Sequence, residues 1–249
     1  MVRADGGWLF ISHSHEDIAQ VRQIRNFLED EGFNPIVFFL KSKTNKWTLN
    51  RLIKKEIKAR KWFVLADSPA SRYSSWVKKE IRYATKLKDK TIITIDLTRD
   101  LKPQLLSLVR RTRVFLSYSH KDQELVNLVY QKLIENDFQV WLDEKELQVG
   151  TSLFDQIHEA IDDHKKNGIF LCFVTEHSVI SHHFMKELNY ALSQNLFIVL
   201  ALTSDVDLTP ELSDILSGVH KIIPLMNHPT NEYLDVFVRA LIEISGEKL

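Results

Sequence analysis

The sequence holds a single cysteine, Cys172, and it lies inside the apolar run IFLCFV. One thiol excludes an intramolecular disulfide, and its apolar setting fits a reducing compartment. Apolar runs approaching the roughly 20 residues of a membrane-spanning helix are missing. So is the apolar core of a secretory leader in the opening segment MVRADGGWLF. These absences lead us to expect a cytoplasmic protein. Charge of one sign is not in excess either, since 33 Lys plus Arg balance 33 Asp plus Glu. That balance excludes a general electrostatic hold on nucleic acid or an anionic membrane. Gly (7) and Pro (6) are scarce in 249 residues, so most of the chain is expected in regular elements with few flexible linkers. Gly-rich phosphate loops, HExxH and CxxC do not occur. His182 and His183 are adjacent at a helix start and point apart. No metal site and no permanently bound cofactor are therefore expected.

What is present is a duplication. A shift of 105 carries Phe10-Ile11-Ser12-His13-Ser14-His15-Glu16-Asp17 onto Phe115-Leu116-Ser117-Tyr118-Ser119-His120-Lys121-Asp122, and Phe33 onto Phe138. A shift of 107 aligns SPASRYSSWVKKEIRYA (68–84) with TEHSVISHHFMKELNYA (175–191). One loop insertion accounts for the slip. Two copies with so long a period mean tandem domains, expected at 1–108 and 109–249.

Each copy alternates short apolar runs with helix-period segments. The second has RVFLSY, FQVWL, IFLCFV, LFIVLAL and KIIPLM. Between them, Leu125, Leu128, Val129 and Leu133 mark a helix over 123–135, and Leu153, Ile157, Ala160 and Ile161 mark another over 151–162. A last helix covers NEYLDVFVRALIEI. Near-continuous apolar strands separated by amphipathic helices predict a doubly wound α/β fold, a parallel sheet covered on both faces. The first copy has GWLFIS, NPIVFFL, KWFVLAD and TIITIDL, then room for a short helix only. It is expected to lack the last strand, which is an edge if the order is 2-1-3-4-5.

Three features carry the chemistry. Ser14-x-x-Asp17 and Ser119-x-x-Asp122 have capping-box spacing, so these serines are expected to cap helices. They also lie at the carboxyl end of a first strand, where an open α/β sheet receives ligands and a helix N-terminus suits phosphate. Next, strand FQVWL ends at Trp141-Leu142-Asp143 and an acidic loop leads through Gly150 to Thr151-Ser152. The matched stretch of the first copy, FFLKSKTNKWTLNRLIKKEI, is basic and has neither the acid nor the glycine. Third, Glu80 falls between Trp76 and Ala84 on an apolar helix stripe, and Glu187 flanks Phe184, Leu188 and Ala191 at the matched position. A carboxylate on a core-facing stripe either snorkels at the rim beside a Lys or Arg or serves a purpose.

RVFLSYSHKD, QVWLDEKELQVGTSLFDQIHEAI and SHHFMKELNYAL resemble the first strand, BB loop region and αC helix of a Toll/interleukin-1 receptor (TIR) domain of the bacterial and plant-like type. LFISHSHED and DSPASRYSSWVKKEI resemble the same motifs in the first copy. The resemblance implies a flavodoxin-like sheet and self-association through the BB loop region, here Asp143–Gly150, giving a homo-oligomer when active. It implies one of two functional lines. Some TIR domains are scaffolds or adaptors. Others cleave the nicotinamide–ribose bond of NAD⁺, as substrate, to ADP-ribose or cyclic isomers, often in anti-phage defence. The family's catalytic glutamate falls on Glu80 and Glu187. Nucleotide contacts are expected from Ser12, Ser14 and Trp76 in the first copy and from Ser117, Ser119, Trp141 and Asp143 in the second. Nicotinamide leaves as a neutral group, so no general acid is required, and one carboxylate can stabilise the oxocarbenium-like transition state. The first copy lacks the BB acid and glycine, and the second has His183-Phe184 in place of Trp76-Val77. A composite site, or one regulatory domain, is therefore expected. The alternatives are a non-catalytic TIR scaffold and a TIR-like nucleotide sensor.

Overall fold

β-Branched and aromatic runs build the strands, and every described strand pairing is parallel. The computed structural model describes residues 3–39, 46–142, 168–194, 196–207 and 210–246. The chain divides into two compact units, Gly6–Val109 and Arg110–Leu249, the second including Met1–Asp5. Strand β1 (Arg3–Gly6) accordingly takes the edge of the second unit's sheet.

The first unit contains β2 (Trp8–Ser12), α1 (Ile18–Asp30), β3 (Asn34–Val37), α2 (Lys46–Ala59), β4 (Trp62–Asp67), α3 (Pro69–Tyr73), α4 (Ser75–Ala84) and β5 (Thr91–Asp96). Its sheet order is β3-β2-β4-β5, the 2-1-3-4 part of a flavodoxin-like sheet. The room left for a short helix holds α5 (Leu101–Thr112), twelve residues that run directly into the next strand. Phe10, Leu49, Ile53, Ile57, Phe63 and Ala84 form a buried cluster joining the sheet to α2 and α4, with Trp76 packed against it.

The second unit contains β6 (Arg113–Ser117), α6 (Gln123–Glu135), β7 (Gln139–Leu142), β8 (Ile169–Val174), α7 (Glu176–Val179), α8 (His182–Ser193), β9 (Phe197–Thr203), α9 (Pro210–Ser217), β10 (Lys221–Leu225) and α10 (Asn231–Gly246). The order β1-β7-β6-β8-β9-β10 contains the full 2-1-3-4-5 arrangement. Every residue of β8 is buried, Cys172 included, as expected for a central parallel strand. The fold is therefore the expected α/β pair of flavodoxin-like units, with the fifth strand missing from the first. The helix expected over 151–162 lies outside the described residues.

The registers superimpose. Ser12 pairs with Leu65 where Ser117 pairs with Cys172, and Phe10 with Phe63 where Phe115 pairs with Phe170. The turn after the first helix also matches: Gly32 (φ 79°) and Asp137 (φ 56°) both adopt the left-handed conformation. Aspartate is among the few side chains that tolerate it.

Candidate functional site

Parallel order 2-1-3 places the ligand crevice of such a sheet outside the carboxyl ends of its first and third strands. In the first unit these are β2 and β4. The run Ser12-His13-Ser14 leaves β2 almost fully buried, at 0%, 2% and 6% exposure. The Ser12 hydroxyl donates to Glu80 Oε2 at 2.5 Å, and Glu80 is itself only 3% exposed. A strand end and the helix α4 are thus joined through a carboxylate. Glu80 does not sit at the rim of the stripe, because it turns inward with Val77 and Ala84.

Local capping aims α4. Ser74 accepts from the Val77 amide, which starts the helix, and Glu80 follows six residues on. Trp76, one turn earlier, is half-buried against the sheet–helix cluster, with Lys79 Nζ 5.9 Å from its ring centre. The His13 ring meets Phe39 edge-on at 5.5 Å, and the Arg22 guanidinium lies 5.7 Å from the other's centroid. This aromatic and cationic flank was not read from the sequence, since nothing in the spacing links residues 13, 22 and 39.

The capping expectation for the opening motif holds for Ser14 and fails for Ser119 and for the two acids. Ser14 occupies an N-cap position and accepts from the Glu16 amide at 3.5 Å, whereas the Ser119 side chain makes no cap hydrogen bond. The acids do not close a capping box. Asp17 instead accepts from the Ser68 hydroxyl at 2.7 Å, and Asp122 accepts from Thr175 at 2.6 Å. The carboxylates are buried, so a donor across the crevice serves them better than a solvent-facing turn. The true capping boxes follow the third strand of each unit, Ser68 with Ser71 and Thr175 with Ser178. Recurrence of Asp17/Asp122 at one shift and Ser68/Thr175 at the other was the available signal.

In the second unit Ser117 is 1% exposed, and its hydroxyl has no hydrogen-bond partner among the described residues. Glu187 lies on α8, which Ser181 caps as Ser74 caps α4, but its side chain falls outside the described residues. Asp143 and the remainder of the BB loop region, through Gly150, also lie outside them. Trp141 is half-buried, its ring stacked on Phe115 at 6.0 Å between centroids. A cleft of about 310 Å³ opens beside Asp122 and Thr175. Four acids, Asp122, Glu124, Glu176 and Asp205, line it beside Lys121, His177 and His228. That sign disfavours a phosphate-bearing ligand. Among the described residues no group of three or more His, Cys, Asp or Glu is placed to hold a metal, and no helix is long and apolar enough to cross a membrane.

The TIR domain family profile matches residues 9–113 and again 114–235. The chain belongs to the TIR domain family. It carries the domain twice, and both matches begin at the first-strand motif that opens each sheet. Curated proteins show no match to it. Among solved structures, a Clostridium botulinum CMP N-glycosidase, BcmB, is similar at 17% identity, over 51% of this chain and 98% of that one, with a TM-score of 0.35.

Proposed function

We propose that this TIR protein cleaves a nucleotide at its N-glycosidic bond, with NAD⁺ as substrate and Glu80 as the working carboxylate. The observation that supports this most is the buried Ser12–Glu80 pair at the carboxyl end of the first unit's sheet. In the reaction the bond between the nicotinamide nitrogen and ribose C1′ breaks. Nicotinamide keeps the electron pair and leaves neutral. The cationic ribose accepts water oxygen at C1′ and releases a proton, or accepts an internal nucleophile to give a cyclic product. A carboxylate beside C1′ stabilises the positive charge as it develops, and low local polarity strengthens that effect. Nothing else need be protonated.

This reading gives the first unit the chemistry, although it lacks the fifth strand and the acid and glycine of the BB region. A missing edge strand does not touch β2, β4 or α4. The burial of Glu80 sets a condition, since a substrate reaches so sheltered a carboxylate only when the site opens. Self-association of TIR domains in a homo-oligomer supplies one means of opening it. We assign the nucleotide to Ser14 and Trp76 at the crevice, with no resident cofactor.

Nicotinamide release from NAD⁺ by the purified full chain, with and without a crowding agent, tests the proposal. Glu80→Gln should lower release at least about 100-fold. Release that survives Glu80→Gln and fails in Glu187→Gln would move the chemistry to the second unit.

A scaffold role is the second reading, and one observation favours it. Tyr73 and Ile180 occupy matched positions just before α4 and α8, and they are 85% and 75% exposed. Large apolar side chains exposed at the same place in both units suit contact with other TIR domains. Self-assembly without nucleotide cleavage under any condition would select this reading.

A further inference from the structure

We propose that Ser12 is a positioning residue, whose hydroxyl holds the Glu80 carboxylate in one orientation and makes no contact with substrate. The inference rests on the nucleotide-cleaving reading of the site and changes the role expected of Ser12, from ligand contact to support of the carboxylate. Three observations carry it. Ser12 is 0% exposed, so its hydroxyl is not presented at the surface of the crevice, and an opening that bares Glu80 need not bare it. Its one hydroxyl proton is committed to Glu80 Oε2 at 2.5 Å, a charge-assisted bond of the short kind. Its backbone is fixed, because β2 is paired on both sides, Ser12 with Leu65 of β4 and the preceding Ile11 with Val37 of β3.

Glutamate is the mobile member of the pair. It has three side-chain torsions, and holding them costs rotamer entropy that a fixed donor offsets. Placement matters because stabilisation of a developing cation depends on distance and direction. A misplacement of about 1 Å costs on the order of 100-fold in rate. Ser117 sits at the same register of β6, equally buried, and its hydroxyl has no partner among the described residues.

The full chain is assayed for nicotinamide release from NAD⁺ as wild type, Ser12→Ala and Ser12→Thr. Ser12→Ala should lower kcat about 100-fold with KM within about threefold, the signature of an interaction used at the transition state. Ser12→Thr keeps the hydroxyl and should restore most of the rate. A raised KM with unchanged kcat would make Ser12 a substrate contact and overturn the proposal, as would no change in either constant. A second measurement stands apart from catalysis. Urea midpoints are compared for Ser12→Ala, Glu80→Met and the double variant. The double variant should lose clearly less than the sum of the single losses. Additive losses would overturn the pairing whatever the activity. Non-additive losses in a chain that never cleaves NAD⁺ would leave Ser12 positioning Glu80 and remove the NAD⁺ reading.

Discussion

The Thr175 hydroxyl donates to Asp122 Oδ2 at 2.6 Å, and Ser68 does the same for Asp17 at 2.7 Å in the other unit. Each bond ties the turn after the first strand to the end of the third. That is the crevice where a sheet of this order receives ligands.

Burial of the Asp122 carboxyl makes the stability of the second unit depend on pH in a definite direction. Burial pushes the Asp122 carboxyl above its usual range, while the Thr175 hydrogen bond and the nearby His177 pull it down and Asp205 and Glu176 push it up again. A raised folded-state value means that the folded chain binds the proton more tightly than the unfolded one. The stabilisation from that proton is complete below the unfolded value of about 3.9 and is lost as pH rises through the folded value. Asp122→Asn removes the titration. Wild type should therefore lose ground to Asp122→Asn as pH rises from about 4 towards neutrality, read as urea midpoints along a pH series. Thr175→Val should cost about 1–3 kcal/mol at neutral pH and less in acid, because the ionised carboxylate loses its donor. A wild type that gains on Asp122→Asn with rising pH would show that burial does not dominate.

How much of this was legible depended on range. Local periodicity placed α6 at its observed limits, although the buried face is Val126, Val129 and Leu133, and Leu128, read as part of the stripe, is exposed. It marked β8 through six consecutive apolar residues, and it put Glu80 on the inward stripe of α4. The serine that meets Glu80 is 68 positions away in the chain, and no periodic pattern encodes such a pairing. The opening motif misled for a related reason. Ser-x-x-Asp spacing describes a turn in isolation, whereas Asp17 and Asp122 take their donors from another strand's loop once the sheet has formed. The resemblance to TIR domains identified the fold, but it did not foresee the buried Ser12–Glu80 pair of the first unit.

The two first-strand serines should answer differently to truncation. Ser117 carries a buried hydroxyl with no partner among the described residues. Ser117→Ala removes a desolvated polar group that returns nothing, so stability should stay within about 0.5 kcal/mol of wild type or rise. Ser12→Ala strips a donor from a buried carboxylate and should cost about 1–3 kcal/mol. Urea denaturation of the two single variants checks the contrast. Equal losses would mean that Ser117 is engaged as Ser12 is, and that the units share the pair.

Loss of the fifth strand from the first unit leaves a measurable trace at its edge. Ile92 of β5 pairs with Phe63, and Ile198 of β9 pairs with the matched Phe170. The same residue type in the same register meets opposite surroundings. Ile198 is 0% exposed, in a strand flanked by β8 and β10, whereas Ile92 is 36% exposed on the outermost strand of its sheet. Exposed Lys88 adds charge just before that strand, a usual protection against edge-to-edge pairing. Ile92→Thr should therefore change stability by no more than about 0.5 kcal/mol. Ile198→Thr buries a hydroxyl in a close-packed interior and removes apolar volume, and it should cost about 2–4 kcal/mol. Urea midpoints, with amide exchange in β5 and β9 to assign each loss to its unit, decide the matter. A comparable loss at Ile92 would mean that the edge of the first sheet is covered in solution, by another part of the chain or by a second copy.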